Sequence, residues 1–314
     1  MLKKLLVAGV AAIATVGTAF AGGHQVIDNI DFLIPGGAGG GWDGTARGTG
    51  EALTKSGLVG SATYENMSGG GGGVAIGHLI ENKDSLHGTL MVNSTPIVIR
   101  SLQGVFPYNF SDLTMVAGTI GDFGALVSHK ESAIKTMDDL TAAFKADPTG
   151  VALGGGSVPG GMDHLVAVMV MKAAGVDAGA AAYLPYDAGG AAMAGLLSGE
   201  IEALSTGFGE AKALADQGEV NILCVTSNDG ETAYPACPAY FVNWRGFFAS
   251  PTTPAETVAA YQDALAKMYD TPEWAEVRDR MGWVEIFNSG DDFTTFLQDQ
   301  EKVIGDLMKE LGFL

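Results

Sequence analysis

Four bursts of glycine punctuate this chain, at residues 36–41, 69–73, 154–161 and 189–190. They carry no Gly-X-Y period, which excludes a collagen-like helix. Each burst instead separates a short apolar run from a stretch able to form a helix. Glycine in that position lets backbone approach a neighbour closely. The apolar runs 30–34, 62–65 and 89–93 read as strands, with helices over 45–55 and from Val74 through Ile80 between them. From Ala125 the rhythm restarts. Thr136 and Asp139 form a capping signature for a helix through Phe144, then come a strand at 151–153, a helix at 162–174, and strands at 182–185, 201–205 and 220–226. Thr253-Pro254-Ala255-Glu256, Thr271-Pro272 and Ser289 with Asp292 read as the starts of three closing helices. Strands alternating with helices predict an α/β fold whose sheet is largely parallel, because parallel neighbours need crossovers.

Size and charge narrow the function. A chain of 314 residues with 47% hydrophobic and 17% charged residues is globular, and its length suggests two domains. Lys plus Arg total 17 against 36 for Asp plus Glu, a formal charge of −19 that disfavours nucleic acid and anionic membranes as partners. Lys3 and Lys4, an apolar run over 5–16 and Ala19-Phe20-Ala21 read as a signal peptide, residues 1–21, cleaved after Ala21. Removing those two lysines and no carboxylate takes the charge from −19 to −21. Residue 22 is Gly rather than Cys, so the mature end offers no lipid attachment site and a soluble exported protein is expected. Cys224 and Cys237 stand thirteen positions apart with no metal-ligand spacing, so no metal site is expected. The pair reads either as a disulfide around Asn228-Asp229-Gly230 or as two buried thiols.

The glycine loops carry the functional signal. In open α/β sheets ligands bind beyond the carboxyl ends of the strands, where helix N-termini favour anions. Several such starts can hold a carboxylate inside an acidic protein. One loop also imitates a dinucleotide fingerprint, Gly39-Gly40-Gly41-Trp42-Asp43-Gly44, with Glu65 about twenty residues on. Pro35, the extra residues after the strand and the bulk of Trp42 argue against it, which leaves a secreted nicotinamide-dependent oxidoreductase as an alternative. Gly155-Gly156-Ser157-Val158-Pro159 lacks the closing glycine of a nucleophile elbow, and the five histidines form no HExxH pair. His164 either reaches an anion or serves structure. Asp43 either caps its helix or bonds a ligand hydroxyl, and Trp42 either covers a ligand or anchors its helix.

Read in order, several segments resemble the periplasmic substrate receptors of tripartite tricarboxylate transporters, also called Bug receptors. They are Pro35-Gly36 through Gly39-Gly40-Gly41-Trp42-Asp43 with Ala46-Arg47; Asn66-Met67-Ser68-Gly69-Gly70-Gly71-Gly72; Leu184-Pro185-Tyr186-Asp187-Ala188-Gly189-Gly190-Ala191; and Trp244-Arg245-Gly246-Phe247-Phe248 before Thr253-Pro254. The resemblance implies a two-domain, type II-like periplasmic binding protein with its ligand in the interdomain cleft. Domain 1 would cover 22–123 plus 243–314, and domain 2 would cover 124–242. The protein would act as a monomer without cofactor or catalysis, capturing a small organic carboxylate and delivering it to a membrane permease. Carried over residue by residue, the ligand contacts would be Gly40, Gly41, Asp43, Gly71, Gly72, Ser94, Thr95, Ser157, Gly160, His164, Asp187 and Gly189. The Gly-Gly-Gly-Trp-Asp form is similar to the tricarboxylate branch and implies a citrate-like ligand. Two departures stand out. Met67-Ser68 replaces a proline and a basic residue frequent in relatives, and Asp187 puts an acid at the mouth of an anion site, where it faces solvent or a ligand hydroxyl or amine. A carboxylate sensor that reports to a membrane kinase fits the same motifs.

Overall fold

The computed structural model describes residues 27–176 and 182–314, so the targeting segment and its cleavage point lie outside the described residues. The first run of elements is β1 (Ile27–Ile34), α1 (Gly41–Lys55), β2 (Val59–Asn66), α2 (Gly73–Glu81), β3 (Thr89–Ser94) and α3 (Thr95–Leu102). β1 lies between β2 and β3 and is parallel to both. After the long strand β4 (Thr114–His129) come α4 (Met137–Ala146), β5 (Leu153–Gly155), α5 (Met162–Ala173), β6 (Tyr183–Pro185), α6 (Gly189–Ser198), β7 (Ala203–Gly207), α7 (Phe208–Asp216) and β8 (Val220–Val225). Here β5 is parallel to β6 and β7. The chain closes with β9 (Val242–Ala249), α8 (Ala255–Tyr269), α9 (Pro272–Met281), β10 (Val284–Ser289) and α10 (Asp291–Leu311).

The sheet is mixed rather than largely parallel. Its order is β2-β1-β3-β9-β4-β7-β5-β6, with β8 and β10 also pairing β4. Every pairing made by β4 or β9 is antiparallel. Along β4, residues 114–123 pair with β9, and β10 joins the same stretch, whereas residues 124–129 pair with β7 and β8. β9 and β4 thus join the two parallel groups, β9 pairing β3 and β4 pairing β7. Gly118, Gly121 and Gly124 hide β4 from a reading of apolar runs, yet none of them makes a turn. Side chains pack against all three: a Cβ at Gly121 would stand 2.5 Å from Val242 Cγ1, and one at Gly124 2.9 Å from Val166 Cγ1.

Helix starts also shift. α1 begins at Gly41 rather than Thr45, which brings Trp42 and Asp43 into its first turn. The capping box of Thr136 and Asp139 forms, and Thr271 caps α9. Thr253 does not cap α8: the residue before that helix is Pro254, and the Thr253 hydroxyl is buried without a protein partner. α10 starts after Gly290 at φ +58°, not after Ser289, because a positive φ there is open to glycine and costly to serine.

Apolar burial falls into three groups. Phe32, Val92 and Phe247 pack with Leu53, Leu265 and Trp274 beneath α1, α8 and α9. Val127 and Leu204 pack with Leu196, Phe208 and Ala211 beneath α6 and α7. A third core contains Ile97 of α3, Leu165 of α5 and Phe293, Leu297 and Met308 of α10. Each such large side chain contributes about 1.5–3 kcal/mol. α10 therefore straps α3 of the first parallel group to α5 of the second. Cys224 of β8 and Cys237 are bonded to each other, with their Cα atoms 4.8 Å apart.

Candidate ligand-binding cleft

The glycine loop after β1 lies close against the loop after β6 and the start of α6, and at Gly190 the approach is backbone to backbone. A Cβ at Gly37 would lie 2.6 Å from Asp187 Oδ2, one at Gly40 3.0 Å from Ala188 Cβ, and one at Gly190 2.9 Å from Ala38 O. A Cβ at Gly156, in the loop after β5, would overlap the backbone nitrogen of Gly189. The first, third and fourth glycine bursts thus converge. Across the same mouth the Ser68 hydroxyl donates to Asp187, which is exposed.

Beneath these loops sits a buried charged cluster. Arg245 of β9, 2% exposed, donates from Nη2 to Asp122 Oδ2 of β4 at 2.6 Å, and from Nη1 to Gly41 O at 2.8 Å and Thr45 Oγ1 at 3.0 Å. Glu210 of α7 lies 3.7 Å from the same guanidinium and accepts from Thr206 Oγ1 at 2.9 Å. Its carboxyl is pressed against the starts of two helices. A Cβ at Gly41 would stand 2.7 Å from Glu210 Oε1, and one at Gly189 would overlap Oε2. Burial pushes Glu210 up to about 8, against the pull of Arg245. It likewise pushes Asp163 of α5 up to about 7, against the hydrogen bond of Ser157. Desolvation outweighs the nearby cation because one guanidinium serves three carboxyls. Asp122 is raised as well, burial exceeding the pull of Arg245 and the Gly209 N–H.

Above the cluster the cleft holds two adjoining chambers that share Trp42, Pro96, Ser157 and Met162 in their walls. The first, about 500 Å³, reaches down to Asn243, Asp163, Glu210 and Arg245. The second, about 510 Å³, is bounded by Ser68, the glycines 69–72 and Arg100. Trp42 stands in the wall between the two chambers, held by Nε1 donating to Ser94 Oγ at 2.9 Å.

Of the residues expected at the site, Gly40, Gly41, Ser94 and Gly189 line the first chamber, Gly71 and Gly72 the second, and Ser157 and Asp187 both. Asp43, Thr95, Gly160 and His164 line neither. Asp43 holds the first loop from behind, accepting from Gly39 N–H at 3.0 Å, Arg47 Nε at 2.8 Å and Asn66 Nδ2 at 3.1 Å. The Thr95 N–H donates to Asn243 Oδ1 at 3.2 Å. Gly160 N–H donates to His164 Nδ1 at 3.0 Å, and the imidazole stacks on Tyr183 with ring centres 4.4 Å apart. Burial holds His164 below its ordinary pKa, as a packed neutral ring requires. Sequence reasoning missed Arg100, Asp163, Glu210 and Asn243, and quoted Arg245 only within a motif. A single arginine inside the apolar run VNWRGFFA was the one available signal.

At the fingerprint of residues 39–44 the start of α1 is faced by side chains. A Cβ at Gly41 would overlap Arg245 and stand 2.7 Å from Glu210 Oε1, so a carboxyl already faces the helix N-terminus that a pyrophosphate would need.

Residues 46–313 match the family model described as tripartite tricarboxylate transporter family receptor. A UPF0065 protein from the tcbD-tcbE intergenic region of Pseudomonas sp. (strain P51) is 23% identical over 297 residues, covering 89% of this chain and 86% of that one. Among solved structures, the periplasmic binding protein BugD aligns with a TM-score of 0.81 at 17% identity, over 91% of this chain and 98% of its own. R. palustris Rpa4515 with adipate gives 0.81 at 18%, over 91% and 97%. The mixed α/β fold is that of periplasmic binding proteins, and the chain belongs to the receptor family of the tripartite tricarboxylate transporters.

Proposed function

We propose that this protein is an exported, periplasmic, non-catalytic receptor that closes on one small di- or tricarboxylate and presents it to a membrane permease. The observation that carries the reading is the close contact of the glycine loop after β1 with the loop after β6 and the start of α6, one from each parallel strand group, over two chambers. Segments that touch this closely form a mouth, and a mouth built from two strand groups opens if those groups separate. Bound ligand favours the closed form by contacting both faces at once.

The lobes would be 22–123 plus 243–314 and 124–242, a division supported by the change of partners along β4 between Phe123 and Gly124. Within the cleft, Gly40, Gly41 and Ser94 would act from the first lobe and Ser157, Asp187 and Gly189 from the second, with Gly71 and Gly72 beyond Trp42. Asp43, Thr95, Gly160 and His164 would shape the loops rather than touch ligand. The adipate that accompanies Rpa4515 supports a carboxylate ligand; the tricarboxylate form of the first loop favours citrate-like acids.

A thermal-shift panel on refolded mature protein tests this, with citrate, tricarballylate, succinate, malate and adipate beside NAD. A ligand at a hundredfold over its Kd stabilises by about 2.7 kcal/mol, or roughly five degrees for a chain of this size. A shift with one carboxylate class is expected. A shift with NAD alone would overturn the reading.

A further inference from the structure

Arg100 stands in the last turn of α3 and forms part of the wall of the second chamber. The chain has five arginines. Arg47, Arg245, Arg278 and Arg280 each pair with a carboxylate, and among the described residues Arg100 has none within ion-pair distance. In a protein with 36 carboxylates, an unpaired guanidinium against a cavity is the exception. Its Nε is buried without a protein partner, and burial lowers its affinity for the proton, a cost that a bound anion would remove.

The surroundings suit such an anion. A Cβ at Gly71 would stand 3.2 Å from Arg100 Nε, and the φ of +66° there is one glycine adopts readily, so glycine lets this loop lie against the guanidinium. Gly69, Gly70, Gly71 and Gly72 all have positive φ, which bends the backbone around the chamber. Arg100 Nη1 donates to Gln103 Oε1 at 2.8 Å, and Gln103 Nε2 donates to Gly160 O at 3.0 Å. The guanidinium is thereby oriented by a side chain that also grips the loop after β5. Among the described residues lining the first chamber the only cation is Arg245, and Asp122, Asp163 and Glu210 surround it. Two anionic groups there would meet one cation already taken.

We infer that the second chamber receives the distal carboxylate of an α,ω-dicarboxylate whose other end lies in the first chamber, and that Arg100 is the residue that distinguishes diacids from monoacids. The inference rests on the carboxylate-receptor reading. A forked guanidinium matches a carboxylate bidentately, which an amide cannot reproduce. Trp42, Pro96 and Met162, common to both chambers, would flank the methylene chain.

The test is calorimetric titration of the refolded mature chain with succinate, glutarate and adipate and with the monoamide of each. Wild type should prefer the best diacid over its monoamide by roughly 10- to 100-fold, the range of a hydrogen bond to a charged group. Arg100→Gln should bring that preference to within about twofold while leaving the monoamide nearly unaffected, and Arg100→Lys should restore part of it. The preference is a ratio within one protein, so it is insensitive to a partly unfolded sample, and a melting curve of each variant reports the fold. Preference that survives Arg100→Gln, or equal loss for diacid and monoamide, overturns the inference and leaves the receptor reading intact. Absence of binding by wild type to these acids and to citrate overturns both.

Discussion

Arg245, Glu210 and Asp163 set the chemistry beneath the cleft, and their titration is directly measurable. Glu210 and Asp163 are raised to about 8 and about 7, whereas unfolded carboxyls titrate near 4. Between those values the folded chain binds more protons than the unfolded one, so stability falls as pH rises. The melting temperature of the ligand-free protein should therefore drop between about pH 5 and about pH 8.5, and Glu210→Gln should flatten the slope. A melting temperature that rises over the same interval would contradict the assignment. Arg245→Met leaves Asp122 buried beside no cation and should cost about 3–5 kcal/mol in urea unfolding. None of this cluster was readable as a cluster. The glycines were legible because their type alone signals close approach, but Arg245 meets Asp122 and Glu210 only through strand and helix placements that local spacing does not encode.

At the scale of elements, the strand-loop-helix units were legible because each is built from neighbours in sequence, and β1, α1, β2 and β3 lie close to where the apolar runs and loops put them. The antiparallel spine was not. β4 is interrupted by three glycines and buried on both faces over most of its length, so it lacks the alternation that marks a half-exposed strand. β9 finds its partners across more than a hundred residues. The Cys224–Cys237 bond ties the end of β8 to the segment leading into β9, a link that spacing alone left open. Replacing both cysteines with alanine should lower stability by about 3 kcal/mol, the loop-closure value for this separation. Carboxylate affinity should stay unchanged, because the bond lies outside both chambers. A loss of affinity without a loss of stability would show that this segment positions the site.

For the whole molecule the question is closure. Gly190, at the start of α6 in the second strand group, faces Ala38 O and the backbone of Gly39 in the loop after β1 of the first, with no room for a side chain between them. Gly190→Val should hold the cleft open, weakening the best carboxylate by about tenfold or more, since closure then costs upwards of about 1.4 kcal/mol. The ligand-free melting temperature should change little, because this contact joins loops rather than cores. Small-angle scattering of the refolded mature chain, recorded while it is titrated with its best carboxylate, tests the central claim most directly because it reads occupancy and shape together. The radius of gyration should fall in step with saturation in wild type, and in Gly190→Val only at ligand concentrations about tenfold or more higher. Saturation of wild type with no compaction would contradict a receptor that closes on its ligand.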